Sequence, residues 1–160
     1  MRRPSRPRRS QSPFTTSPYA RRFAGHGRGG SSWDPDGMND TAATLVIVDA
    51  ANVVGSVPDG WWRDRRGAAE RLRDRLAADG VPGHPGPVEI VLVVEGAARG
   101  VESVPGVRVE SAPASGDDHM VTLVAEAGAR PVLVVTADRE LRRRVTALGA
   151  DTTGPRTVRP

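Results

Sequence analysis

Beyond about residue 40, apolar and polar positions along the chain fall into alternating blocks. Leu45–Val48, Ile90–Val94 and Val132–Val135 are short, continuous runs rich in β-branched residues, the pattern of strands buried on both faces. The second run predicts a strand over Val88–Val94, and Val107–Glu110 reads as a shorter one. Between them the period changes. Ala68, Leu72 and Leu76 recur every four residues within Asp64–Asp79, which predicts a helix stopped by Gly80 and Pro82. Met120, Leu123, Val124 and Ala127 share a stripe over Asp118–Ala127, closed by Gly128. Leu141, Val145 and Leu148 do the same over Asp138–Leu148, closed by Gly149, and a last short strand is expected near Thr157-Val158. Strands alternating with helices imply βαβ units, hence an α/β fold with a mainly parallel sheet covered on both faces.

Composition changes this picture in two places. Residues 1–40 are rich in Arg, Ser, Pro and Gly without apolar periodicity, too little to bury a core. They carry a net charge of +5, whereas residues 41–160 carry −1, so the overall +4 and the pI near 11.0 belong to the tail. Three readings of this segment compete: a basic arm touching phosphates, a transit peptide, or a start codon placed too early, with Met38 the true first residue. The third is preferred, because Met38-Asn-Asp40 stands just before the first strand, and residues 41–160 are taken as the domain. All 23 basic residues are arginine, the signature of a GC-rich, bacterial genome. The absence of cysteine removes disulfides, thiolate metal sites and cysteine nucleophiles. Apolar runs this short cannot span a membrane, and no secretory leader is evident, so a cytoplasmic protein is expected.

The chemistry-bearing residues cluster in one part of the pattern. Ligands of parallel sheets collect at the carboxyl ends of strands. Asp49 ends the first strand with Asn52 three residues on; Glu95 follows the second; Asp117 and Asp118 open the helix after the third; Asp138 follows the fourth. Carboxylates brought this close repel one another unless a cation intervenes, and no lysine exists to supply one. Mg²⁺ or Mn²⁺, which favour oxygen ligands, are the natural counter-charges. Histidine-ligated zinc fits poorly, with His26 in the tail, His84 in a Pro/Gly loop and His119 alone. Plainer roles are available too. Asp117, Asp118 and Asp138 each suit helix capping, Asn52 suits a turn, and Glu95 suits a solvated loop. Asp49 is harder to place so simply, since an acid ending a buried strand needs a partner.

Leu45-Val-Ile-Val-Asp49-Ala-Ala-Asn52 resembles the opening motif of NYN domains, in the PIN-like nuclease superfamily. Gly116-Asp117-Asp118 before a helix is similar to the family's middle acidic motif, and Val134-Val-Thr136-Ala-Asp138 to its late strand-Thr/Ser-x-Asp motif. The resemblance runs from about Thr44 to Thr157. It implies a Rossmann-like, three-layer α/β/α sandwich with a metal-dependent, usually RNA-cleaving acidic site. Asp49 and Asp138 then match metal-coordinating aspartates, Asn52 the supporting asparagine, and Asp118, ahead of Asp117, the middle acid. Glu95 is a candidate additional acid. The expected reaction is phosphodiester hydrolysis by a metal-activated water, leaving a 5′-phosphate and a 3′-hydroxyl.

Trp61-Trp62, flanked by arginines, suits stacking on unpaired bases, although such a pair more often leads one ring into the core and leaves the other at the surface; Arg139 suits a phosphate contact, which a solvated helix face explains equally well. RNA is the expected partner, no membrane is, and the reading leaves room for a homodimer. Two other functions stay open. The family often has an aromatic residue before the asparagine, where this chain has Ala51, which suits a catalytically impaired RNA- or protein-binding module. A nucleotide pyrophosphohydrolase uses a similar acidic centre. A receiver domain would need a lysine, a haloacid-dehalogenase-like phosphatase a second aspartate at Ala51, and a P-loop enzyme its Gly/Lys run.

Overall fold

The structure, a computed structural model, describes residues 43–159. The basic segment over residues 1–40, with Met38, lies outside the described residues. Strand β1 (Thr44–Asp49) runs directly into a short helix α1 (Ala50–Gly55), and a single 3-10 turn at Trp61–Arg63 precedes helix α2 (Arg65–Asp79). Then follow β2 (Val88–Val94), β3 (Val107–Ser111), α3 (Gly116–Glu126), β4 (Val132–Val135), α4 (Arg139–Ala147) and β5 (Asp151–Thr153). The strands form one sheet in the order β3-β2-β1-β4-β5, and every pairing between them is parallel.

Alternation along β1 generates two cores. Val46 and Val48 face one side with Ile90, Leu92 and Val94 of β2, under Val53 of α1 and Ala69, Leu72 and Leu76 of α2. Leu45 and Ile47 face the other with Val91 and Val93, under Met120 and Leu123 of α3 and Leu141 and Val145 of α4. The result is a three-layer α/β/α sandwich. Because β1 is buried on both faces it has no polar alternation, and each fully buried aliphatic side chain contributes roughly 1.5–3 kcal/mol.

Helix boundaries follow capping chemistry. Asp64 accepts from the Gly67 N–H to open α2, which ends at Gly80 with φ of 67°, a left-handed value suited to glycine. Helix α3 starts at Gly116, before the predicted Asp118, because Ser115 rather than either aspartate is its N-cap.

Two sequence expectations are corrected. The final strand lies at Asp151–Thr153; Thr157 belongs to a 3-10 turn, Pro155–Thr157, begun by a proline that has no N–H to give a sheet. Helix α1 was not anticipated either, since six residues are too few to show a period. Among the described residues, no helix is long and apolar enough to cross a membrane.

Candidate active site

The strand order reverses its direction of growth at β1. From β1 the chain crosses to β2 and β3 on one side, and it returns to build β4 and β5 on the other. In parallel sheets ligands collect at such a switch point, beyond the carboxyl ends of the strands where neighbouring crossovers part, here those of β1 and β4. Asp49 closes β1 at this point, and Thr136-Ala137-Asp138 leaves β4 beside it.

Side-chain hydrogen bonds hold these two segments together. Thr136, fully buried, donates through Oγ1 to Asp49 Oδ2 at 2.9 Å and accepts from the Asp138 N–H at 3.1 Å. Asn52, on the first turn of α1, accepts from the Ala137 N–H through Oδ1 at 2.8 Å. Arg142 Nε donates to the Thr136 carbonyl at 2.8 Å, and the Thr136 N–H donates to the Thr153 carbonyl at 2.9 Å. Asp49 Oδ1 accepts from the Asn52 N–H at 3.2 Å and so caps α1; Asp138 Oδ1 accepts from the Leu141 N–H at 2.8 Å and caps α4. Both aspartates are therefore held in place and keep further acceptor capacity on their oxygens. Thr136 was not singled out among the candidate side chains. Its only sequence signal is the Thr-x-Asp spacing after a strand.

Burial and like charge then act on the carboxylates. Asp49 is only 7 % exposed, and its pKa is raised to about 6. Loss of hydration is the main cause, the hydrogen bonds from Asn52 and Thr136 oppose it, and the charges of Asp117 and Glu95 add to it. Asp117, on the first turn of α3, is also pushed up, first by burial and then by Asp138 and Glu95, with Arg144 opposing. These four acids share one field.

Asp118 is placed differently from its neighbour. Its Oδ1 accepts from Arg144 Nη2 at 2.8 Å, and its side chain is exposed. Glu95 turns its Oε2 to the Gly116 N–H at 2.6 Å, joining the loop after β2 to the start of α3. A Cβ on Gly116 would stand 2.6 Å from that same oxygen, so the approach needs glycine. His119 pairs instead with Glu110 of β3, at 2.5 Å.

Among the described residues, no three His, Asp or Glu side chains stand close enough to form a ready-made metal cage. Arg144 draws off Asp118, and Gly116 holds Glu95. The donor set still fits a hard divalent ion. It consists of oxygens alone, neighbouring acids help to raise the pKa of Asp49 and Asp117, and Mg²⁺ is commonly held by one or two carboxylates with several waters.

The aromatic pair lies on the α1–α2 side. Trp61 is half-buried against the core beneath α2, with the Arg65 guanidinium 5.3 Å from its ring centre. Trp62 meets Trp61 edge-on at 6.1 Å and is 50 % exposed. Arg66, one turn on, reaches the Gly100 carbonyl in the loop after β2, so the start of α2 sits at the carboxyl edge of the sheet. Arg139 is exposed at the start of α4, next to Asp138.

No family model matches the sequence, and a search of the curated proteins finds no match. Among solved structures, the chain is similar to a crystal structure of a mutant of Rae1 (YacP) from Bacillus subtilis. The TM-score is 0.57 at 17 % identity, over 72 % of each chain. The likeness establishes a shared three-layer fold.

Proposed function

We propose that the chain is a metal-dependent ribonuclease whose centre is Asp49, acting with Asp117 and Asp138 at the carboxyl edge of β1 and β4. One observation carries this reading: a carboxylate 7 % exposed at the switch point of a parallel sheet, held through both oxygens, with the charges of two further acids, Asp117 and Glu95, acting on it. Such a group destabilises the fold when ionised, and a cation removes that cost. The resemblance of the Asp49-x-x-Asn52 and Thr136-x-Asp138 motifs to NYN domains, and the fold shared with Rae1, point the same way.

Asp49 and Asp117 would hold Mg²⁺ or Mn²⁺, with Asp138 completing the set through the ion's waters. The ion, when bound, lowers the pKa of a water and offsets charge on the phosphodiester. The chain's own groups fix the donors. Thr136 and the Asn52 N–H orient Asp49, Asn52 Oδ1 anchors the Ala137 turn, and Glu95 ties the loop after β2 to the start of α3 by accepting from the Gly116 N–H. Asp118 serves through its pairing with Arg144 rather than as a ligand. Trp62 and Arg139 flank the centre as stacking and phosphate contacts for an RNA strand.

A second reading is favoured by the absence of a three-carboxylate cluster among the described residues. In it the fold binds RNA without cutting it. Cleavage of a labelled single-stranded RNA by the full chain, in Mn²⁺, Mg²⁺ and EDTA, separates the two. The ribonuclease reading expects metal-dependent cutting that Asp49→Asn abolishes. A folded wild-type chain that cuts under neither metal refutes it.

A further inference from the structure

On the α1–α2 side, away from the acidic centre, lies a pocket of about 190 Å³ lined by Asp59, Ala68, Arg71, Leu72, Arg75 and Arg159. Ala68, Arg71, Leu72 and Arg75 come from one face of α2, where three- and four-residue spacing stacks side chains above one another. Ala68 and Leu72 form an apolar floor, both buried. Arg159 forms a fixed wall: Nη1 donates to the Val54 carbonyl at 2.8 Å, and Nη2 pairs with Asp59. That pairing neutralises Arg159 and leaves two guanidinium groups in excess. Arg71 reaches Asp64 only at 3.7 Å, with both side chains largely exposed, and Arg75 makes no ion pair among the described residues. Like charges four residues apart repel along a helix, so Arg71 and Arg75 are a cost to the free protein that an anion between them relieves.

We infer that this pocket is a phosphate subsite for a single-stranded RNA whose neighbouring residues pass Trp62 on the way to Asp49. The inference rests on the ribonuclease reading and extends it by naming the path of the strand. Placement supports it. The Val54 carbonyl that Arg159 grips is near the end of α1, and Asp49 caps the start of the same helix, roughly 8 Å away along its axis. Trp61 packs beside Gly55 at that same end, with its Cζ2 3.8 Å from where a Cβ would stand, and the exposed Trp62 adjoins it. The acidic centre therefore stands at the start of α1, the tryptophan pair and the Arg159 wall of the pocket stand at its end, and Arg71 and Arg75 line the same pocket from α2. Size argues for part of a longer ligand, since sites that enclose a whole small molecule run from roughly 300 to 1,000 Å³.

The test is fluorescence anisotropy of a labelled single-stranded RNA with the full chain in EDTA, titrated with NaCl. The comparison is wild type against R71A/R75A, R71K/R75K and R143A, the last removing an exposed arginine on α4 outside the pocket. R71A/R75A is expected to bind roughly tenfold more weakly, about 1.4 kcal/mol. Its log–log salt slope should be shallower by roughly 0.7 for each phosphate no longer neutralised. R71K/R75K should keep most of both, and R143A should match wild type. Unchanged affinity and slope in R71A/R75A, an equal loss in R143A, or no binding by wild type overturns the inference. So does displacement of the strand by micromolar AMP, which would make the pocket a site for a free nucleotide. Binding is read without metal and cleavage with it, so failure of the subsite and failure of the ribonuclease reading give different results.

Discussion

The interior of the sheet and its carboxyl edge are built on opposite principles within a single strand. From Leu45 to Val48, β1 is aliphatic, and every side chain meets aliphatic partners on its own face. One residue later Asp49 is nearly as buried, yet it faces Thr136 and the charges of Asp117 and Glu95. The interior is consistent at every level, from propensity through pattern to packing. The edge gathers like charges around partly buried carboxylates, an arrangement that costs stability. The contrast teaches that the interior supplies stability on which the edge draws.

The largest effect expected separates the two regions outright. Asp49→Asn should cut metal-dependent RNA cleavage by about 10³-fold or more, the loss that follows when several kcal/mol of charge stabilisation disappear. The fold should survive, because an asparagine Oδ1 still accepts from the Asn52 N–H. Ile47→Ala, two residues back, should do the reverse. Urea unfolding should register a loss of about 2–5 kcal/mol for this buried side chain, while the protein that remains folded cleaves normally. An Ile47 variant that loses activity without losing stability would erase the distinction.

The pH dependence of stability sharpens it further. Asp49 has a native pKa of about 6 against an ordinary value of 3.8, so the native state holds its proton over a range where the unfolded chain has released it. Its contribution to stability is fully present below about pH 3.8 and is lost as pH rises through about 6. The loss is roughly 3 kcal/mol at 1.36 kcal/mol per pKa unit. Unfolding in EDTA should therefore show wild type losing stability relative to Asp49→Asn between pH 4 and pH 7. Parallel curves would mean that the carboxylate is not under strain.

Smaller effects test the supports. Thr136→Val removes the hydroxyl that bonds both Asp49 and the Asp138 N–H, and should cost about 1–3 kcal/mol. It also removes a bond that favours the charged carboxylate, so the acid limb of the cleavage profile should move to higher pH. Asp118→Asn should be the mildest change, under about 1 kcal/mol for an exposed pair with Arg144, and with little effect on cleavage. Asp117→Asn should lower cleavage much more. Equal losses in the two would contradict the division of labour between these neighbours.

Much of this was legible in the sequence because it depends on local pattern. The runs Leu45–Val48, Val88–Val94 and Val132–Val135 are strands where β-branched density placed them, and Asp64 and Asp138 cap the helices expected to follow. What was not legible depends on tertiary context. Helix α1 is too short to show a period, and β5, Asp-Thr-Thr, is a polar edge strand recruited by pairing with β4. Adjacent helical residues point about 100° apart, so Asp117 and Asp118 meet different neighbours: Asp118 meets Arg144, and Asp117 lies in the field of Asp138 and Glu95. Those neighbours come from elements distant in sequence. Thr136 escaped notice for the same reason, since its importance lies in the carboxylate across the strand boundary.

The central claim is that the strained edge exists to hold a cation. Its most direct test is urea unfolding at pH 7.5 with and without Mn²⁺, for wild type and Asp49→Asn. The account predicts that Mn²⁺ stabilises wild type, by about 2.7 kcal/mol at a hundredfold excess over its Kd. Asp49→Asn should be the more stable protein without metal and should gain little from it. Equal gains in the two proteins, or none in wild type, would contradict the claim.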